Sequence, residues 1–229
     1  LRANATIGTN VIIPNLTDPT ATANWAGETE IGDSGSAITG ITNDGDTLLI
    51  TKTDGLWAYY ADGSQENLTP EFEGMAYSNN FAGVFNWNGH VLLPLGSTGL
   101  WELFAGDLRN ISLEEKYVPD DTTLHGKVVA IAGDPQSLFI MVEDTANLKM
   151  HILMAKYQDL GGGRNYRWHH FGSITYTTGD TPLHSAMLSE GVPSGATLHH
   201  RIWAGVESTG SSLLPHFLPL DTDANEGYT

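Results

Sequence analysis

Residues 38–59 read ITGITNDGDTLLITKTDGLWAY, and the pattern returns in residues 81–103 as FAGVFNWNGHVLLPLGSTGLWEL. Each copy has a Gly-aliphatic start, a polar turn, an apolar strand-sized run, a second turn and Gly-Leu-Trp. The triplets Gly55–Trp57 and Gly99–Trp101 lie 44 positions apart. Self-similarity at a fixed period is typical of repeat architectures. The sequence therefore predicts a chain built from several copies of one small β unit.

The repeat extends on both sides of these two copies. Asn67-Leu68-Thr69 is matched 43 positions later by Asn110-Ile111-Ser112. A third copy begins at Lys127, where Val129–Ile131 aligns with Thr39–Ile41. A fourth and weaker copy begins near Leu183, and its central apolar strand is Arg201–Gly205.

A period of about 40–45 residues with several short strands per unit predicts an all-β β-propeller. A single four-stranded sheet has two apolar faces, so neighbouring blades must cover them. We expect four to five blades, which form either a whole array or part of a larger propeller. The repeats occupy residues 31–229, with copies near 37–73, 81–116, 127–175 and 183–220. Residues 1–30 have no clear period and are interpreted as an extended N-terminal arm, or a partial strand, that packs on another chain.

The unit from Asp44 to Phe72, with its DGLW and NLTPEF motifs, resembles propeller repeats of bacterial two-component-regulator sensors and kelch-like proteins. Together with IGDSGSAITGI before it, and KVVAIAGDPQSLFIMVED and WHHFGSI after it, the pattern also resembles large propeller proteins of phages and environmental metagenomes. The resemblance covers residues 30–207 and carries no catalytic residues. It implies a scaffold at a virion surface or in another extracellular setting, with attachment to a partner or host as its role.

The composition limits the function. The net charge is −17, from 27 acidic and 10 basic residues, so we expect neither nucleic acid nor an anionic membrane as a partner. There is no cysteine, which excludes disulfides and thiolate chemistry. No apolar run reaches membrane-spanning length, so no membrane insertion is expected. Because the chain opens on Leu1 and not on Met, we expect a processed product or a segment of a longer protein.

A calcium site is one candidate for chemistry. Asp221, Asp223 and Asn225 place acidic and amide oxygens at alternating positions, as in the start of a calcium loop. The Gly falls one place late for an EF-hand, and no Glu stands at the twelfth position. A solvated tail is the alternative. Apart from this weak calcium candidate, no cofactor is expected.

Histidines are the second candidate for chemistry. They occur as the pairs His169-His170 and His199-His200, with His151, His184 and His216 nearby in sequence. Adjacent residues on a strand point to opposite faces, so one pair cannot hold a single ion. The two pairs, if they lie on adjacent strands, could contribute one ligand each to a metal site, or the histidines could form a pH-sensitive cluster. The alternative is ordinary strand packing.

Four Asn-x-Ser/Thr sequons are present, at Asn4, Asn15, Asn67 and Asn110. They are glycosylation candidates in a secretory or surface setting. Asn43–Asp46 is predicted to be a hairpin turn, and the Gly161–Gly163 segment a hairpin tip and not a phosphate loop.

The sequence favours a non-enzymatic structural or attachment protein of an extracellular assembly, such as a virion surface, capsid, tail or fibre component. Its partners would be other subunits, in a homo- or hetero-oligomer, and a host-surface glycan. The alternative is an extracellular propeller that binds or cleaves carbohydrate; it fails if Trp25, Trp87, Trp168 and Trp203 are all buried. A third hypothesis, a sensor ectodomain, requires a membrane segment downstream.

Overall fold

The computed structural model describes residues 2–3, 8–12, 27–32, 35–72, 80–95, 99–111, 127–144, 146–159, 164–175, 182–194, 197–208 and 216–221. In these residues the regular structure is β-strand apart from one 3-10 turn at Pro70–Phe72. No helix in these ranges is long and apolar enough to cross a membrane. The chain divides into two compact units, Leu1–Val91 and Leu92–Thr229.

The N-terminal segment contains paired strands. β1 (Arg2–Ala3), β2 (Asn10–Ile12) and β3 (Glu28–Glu30) form a three-stranded antiparallel sheet in that order. The sequence suggested an extended arm here because no period is visible. Strands of two and three residues are too short to show an alternation of apolar and polar residues.

The first full repeat folds as a four-stranded meander. Its strands are β4 (Ile38–Asp44), β5 (Thr47–Lys52), β6 (Gly55–Tyr59) and β7 (Gln65–Asn67), and each pairs with the next. The predicted hairpin at Asn43–Asp46 is confirmed, since Asp44 pairs with Thr47. Gly45 has a φ of 56°, a conformation that glycine adopts without steric cost.

The second and third repeats also fold as four-stranded meanders. The second consists of β8 (Phe85–Trp87), β9 (His90–Leu95), β10 (Gly99–Phe104) and β11 (Asp107–Asn110). The third consists of β12 (Lys127–Gly133), β13 (Ser137–Asp144), β14 (Lys149–Asp159) and β15 (Arg164–Thr175). In the fourth, β16 (Pro182–Ser194), β17 (Thr197–Ser208) and β18 (His216–Asp221) form a sheet of three described strands.

The sequence repeat is a repeat of backbone register. Trp57 pairs with Asn67 in the first meander, and Trp101 pairs with Asn110 in the second. The residue that follows each Asn donates its backbone N–H to the third strand of the same blade. Leu68 N donates to Leu56 O at 2.8 Å, and Ile111 N donates to Leu100 O at 2.9 Å. The Gly-Leu-Trp and Asn motifs therefore mark the third and fourth strands of a blade.

The alignment of the third copy is also confirmed by register. In the first meander Ile38 pairs with Lys52 and Gly40 with Thr51, so the ladder has a bulge at residue 39. In the third, Val128 pairs with Val142 and Ala130 with Met141, which gives a bulge at residue 129. Successive antiparallel four-stranded meanders are the blades of a β-propeller, and the predicted all-β propeller class is confirmed.

Side chains join consecutive sheets within each unit. In the first unit, Asn86 Nδ2 donates to Asn43 O at 2.6 Å and Asn80 Nδ2 donates to Thr53 O at 3.0 Å. In the second unit, Trp168 Nε1 donates to Ile111 O at 3.1 Å. Because each bond joins a side chain of one sheet to the backbone of another, consecutive blades are fixed in register as well as packed.

Candidate functional site

The predicted calcium ligands fall at the end of the described chain. Asp221 is the last residue of β18, where it pairs with Arg201 in the register. Asp223 and Asn225 lie outside the described residues. Within the described part of the chain, no group of three or more His, Cys, Asp or Glu residues could hold a metal ion. The calcium hypothesis remains a prediction.

Two of the four sequons lie in described strands. Asn67 ends β7 and Asn110 ends β11, both half-buried and at equivalent places in their blades, whereas Asn4 and Asn15 lie outside the described residues. Asn67 Oδ1 accepts a hydrogen bond from Thr69 N at 2.9 Å, and the buried Thr69 Oγ1 accepts one from Leu56 N at 2.8 Å. This sequon thus has a structural role in closing the first blade.

Asp144, His151 and His170 form a row of hydrogen-bonding side chains at one end of the third blade. His151 Nδ1 lies 3.2 Å from His170 Nε2, and His151 Nε2 lies 3.3 Å from Asp144 Oδ2. Asn147 holds the carboxylate, since its backbone N–H donates to Asp144 Oδ1 at 3.1 Å and its Nδ2 donates to Oδ2 at 2.7 Å. With Asp144 as acceptor, the Nε2–H tautomer of His151 is favoured, and its Nδ1 then accepts from His170.

A β-bulge brings the two imidazoles together. His151 pairs with Ser173, and Ile152 pairs with Gly172, but Leu153 pairs with His170, so Phe171 is an extra residue in β15. In a regular ladder His170 would lie opposite Met154, on the other face of the sheet. The bulge moves His170 to the face of His151. The structure thus joins His170 to His151 and Asp144, a combination that sequence reasoning missed. The expected partnership of the His169-His170 and His199-His200 pairs stays a prediction, because nothing is described of the His199 and His200 side chains.

Hydrogen bonds, burial and nearby charges shift the pKa values of Asp144 and His170. The pKa of Asp144 is lowered from its usual value, chiefly by the hydrogen bond from the Asn147 side chain. The pKa of His170 is lowered as well, first because burial removes water from part of its ring and then by its electrostatic interactions with His151 and Lys149. His170 is nevertheless an exposed residue. Asp144, His151 and His170 are close enough to exchange a proton with one another.

A second polar group is buried between the second and third blades. Glu102, 1% exposed, accepts a short hydrogen bond from Tyr166 Oη and another from Arg109 Nε at 2.9 Å. The three side chains come from β10, β11 and β15. The buried carboxylate thus has a cationic partner and a phenol donor, as in a structural ion pair. It fixes the outer strand of the third blade to the second blade.

Two of the four tryptophans on which the carbohydrate-binding alternative depends are buried. Trp87 and Trp168 are 5% and 1% exposed, so neither can stack on a sugar. Trp25 lies outside the described residues, and nothing is described of the Trp203 side chain. Trp57 and Trp101, the tryptophans of the two Gly-Leu-Trp motifs, are half-buried. Trp57 packs on the core cluster of Val11, Ile31 and Ile50.

Comparison with known proteins gives a likeness in structure and no family. No protein-family model matches the chain, and no curated protein matches it. Among solved structures, the N-terminal domain of Nup159 is similar with a TM-score of 0.38 and 11% identity, over 94% of this chain and 75% of that one. The fold given above rests on the strand order and register of the sheets themselves.

Proposed function

We propose that this chain is a non-enzymatic structural or attachment protein of an extracellular assembly, and more specifically a virion component of the surface, capsid, tail or fibre. One observation supports the proposal above others: side chains of one blade are bonded to the backbone of the next. Three such bonds are those from Asn86 to Asn43, from Asn80 to Thr53 and from Trp168 to Ile111. Polar side chains that could line a pocket are used here to hold the blades to one another.

Rigid blades suit a scaffold. Repeat architectures present a large fixed surface, and their loops can change without loss of the core. The net charge of −17 keeps such a surface soluble at high local concentration. The partners would be other subunits, like or unlike, and a host-surface glycan.

The mass of the native particle tests this function. Native material would be separated by gentle size-exclusion chromatography, its mass measured by light scattering, and the same peak imaged by electron microscopy. We expect a large symmetric complex with many copies of the chain. A monodisperse species near the 24.7 kDa of the chain would contradict the proposal. A glycan screen with and without calcium would then test the carbohydrate-binding alternative.

A further inference from the structure

Basic residues are concentrated on one hairpin of this acidic chain. Residues 149–175, which form β14 and β15, contain four of the 10 basic residues and one acidic residue, a net charge of +3. The rest of the chain contains 26 acidic and six basic residues, a net charge of −20. Such segregation has electrostatic consequences, because patches of opposite sign attract at contact distance.

The hairpin extends past the sheet that carries it. Ser137, the first residue of β13, pairs with Lys156 of β14. Three further pairs of β14 with β15 continue beyond this point: Tyr157 with Tyr166, Gln158 with Asn165, and Asp159 with Arg164. β15 is also the outermost strand of its sheet. The end of the hairpin is therefore placed to meet another molecule.

The base of this extension is anchored. Tyr166 and Trp168 are buried and bonded to Glu102 and to the backbone of Ile111. Because successive residues of a strand point to opposite faces, Arg167 between them belongs to the other face. In the register it stands directly opposite Lys156.

This second face becomes exposed toward the end of the hairpin. Met150 and Ile152 are buried, Met154 is half-buried, and Lys156 and His169 are exposed. Lys156, Arg167 and His169 will be called the basic hairpin face. Two like charges directly opposite each other on a sheet are destabilising. An acidic partner would remove that repulsion.

The first unit offers a complementary surface. Residues 1–91 contain 11 acidic and two basic residues, a net charge of −9, and one of the two, Lys52, is fully buried. Glu28, Glu30, Asp62 and Glu66 are exposed and will be called the acidic edge.

Hydrogen bonds bring the parts of the acidic edge together. Gln65 joins β7 to the end of β3, since its Nε2 donates to Glu30 O at 2.8 Å and its Oε1 accepts from Gly32 N at 2.9 Å. The pKa of Tyr60 is raised, first by its hydrogen bond to Glu66 and further by the charges of Glu66 and Asp62. The edge is thus a region of concentrated negative charge.

We propose that the basic hairpin face of one copy of this chain binds the acidic edge of a second copy. The contact is heterologous, because two different surfaces meet, so repetition of it builds a ring or a filament. The inference rests on the assembly function proposed above and names copies of the same chain as the neighbours. A second copy is favoured over a foreign polyanion because the chain itself carries both complementary surfaces.

Sedimentation equilibrium of the purified full chain tests the contact. At 0.1 M NaCl the Debye length is about 10 Å, so repulsion between distant acidic groups is screened while groups in contact still attract. We expect self-association at 0.1 M NaCl that weakens at 1 M. In the Lys156→Gln/Arg167→Gln variant the dissociation constant should rise by about tenfold or more.

The matched control removes the same two charges from the other end of the same blade. Lys127→Gln/Lys149→Gln reaches the same net charge, since Lys127 pairs with Glu143 and Lys149 with Asp144 at that end. Its dissociation constant should stay within about twofold of the wild-type value. Equal loss in both variants would overturn the proposal, because it would mean a general charge effect. Unfolding midpoints of all variants establish that they are folded.

Charge exchange gives an independent readout. The Lys156→Glu/Arg167→Glu variant and the Glu30→Lys/Glu66→Lys variant should each fail to self-associate, and a mixture of the two should associate. A wild-type chain that stays monomeric at about 1 mM at both salt concentrations overturns the self-contact. Binding of heparin or single-stranded DNA by the hairpin without self-association would do the same. Either of these two results would exclude the contact between copies but not the assembly function. The mass of the native particle tests that function separately, since it shows whether unlike subunits surround the chain.

Discussion

Gly32 is the residue whose replacement the structure constrains most tightly. Its φ is +60°, a region that costs an ordinary L-residue about 1–2 kcal/mol. A Cβ added here would lie 2.6 Å from Cζ2 of Trp57, well inside contact distance. Trp57 is held by the core cluster of Val11, Ile31 and Ile50, so its ring cannot withdraw without a cost in packing.

We therefore expect Gly32→Ala to lower the free energy of unfolding by about 3 kcal/mol, from backbone strain and overpacking together. Gly45→Ala is the matched control, since Gly45 also has a positive φ, of +56°, but nothing lies within 4 Å of its added Cβ. The control should lose only about 1 kcal/mol. Urea unfolding measures both, and equal losses would show that the contact with Trp57 has no energetic weight.

Asp62 provides a prediction on pH. Its pKa is lowered, chiefly by the hydrogen bond from the Ser64 hydroxyl and then by the bond from the Ser64 backbone N–H. The stabilisation from this depressed pKa is present above the unfolded value, 3.8, and is lost as the pH falls through the folded value.

Ser64→Ala removes the larger of the two bonds to Asp62 and leaves the backbone bond. We expect the pKa of Asp62 to rise toward 3.8 without reaching it. NMR titration of the carboxyl resonance measures the change. An unchanged or lower pKa in the variant would contradict the assigned cause.

At the scale of elements, β15 is joined to the second blade by buried polar contacts as well as by packing. Tyr166 Oη donates to Glu102 of β10, and Trp168 Nε1 donates to the carbonyl of Ile111. The ring planes of Tyr166 and Trp168 are nearly parallel, at 16° with centroids 6.1 Å apart. Because Glu102 is buried, its charge is stabilised by the Tyr166 hydroxyl and by Arg109.

Tyr166→Phe should lower the free energy of unfolding by about 2 kcal/mol, because it removes a buried hydrogen bond to a charged group. Tyr60→Phe is the matched control, since Tyr60 Oη donates to Glu66 Oε2 at 2.7 Å in an exposed setting. We expect no measurable change there, because water replaces the lost partner. Chemical denaturation compares the two variants. A control as costly as Tyr166→Phe would mean that burial does not decide the effect.

At the scale of the whole molecule, the net charge of −17 opposes the compact state through self-repulsion. Both units contribute, since acidic residues outnumber basic ones in Leu1–Val91 and in Leu92–Thr229. Glu102 with Arg109 is one pair of opposite charges in the described chain.

Added salt should therefore stabilise the protein. Between 10 mM and 0.3 M NaCl the Debye length falls from about 30 Å to less than 10 Å, so repulsion between separated carboxylates is screened. We expect the thermal midpoint at pH 7 to rise over this range, as measured by circular dichroism at a protein concentration low enough to keep the chain monomeric. A midpoint that falls with salt would show that attractive pairs outweigh the repulsion.

The sequence by itself determined the all-β class, the repeat and the places of the Gly-Leu-Trp and Asn motifs. These follow from local chemistry: turn residues and short apolar runs recur at a fixed period, and the first two blades form the same backbone hydrogen bond after the Asn motif. The tertiary structure decided the rest. The bulge at Phe171 places His170 beside His151, and Glu102 meets Tyr166 from 64 positions away. Neither contact has a local signal, because a one-residue shift of register reverses which face a side chain occupies.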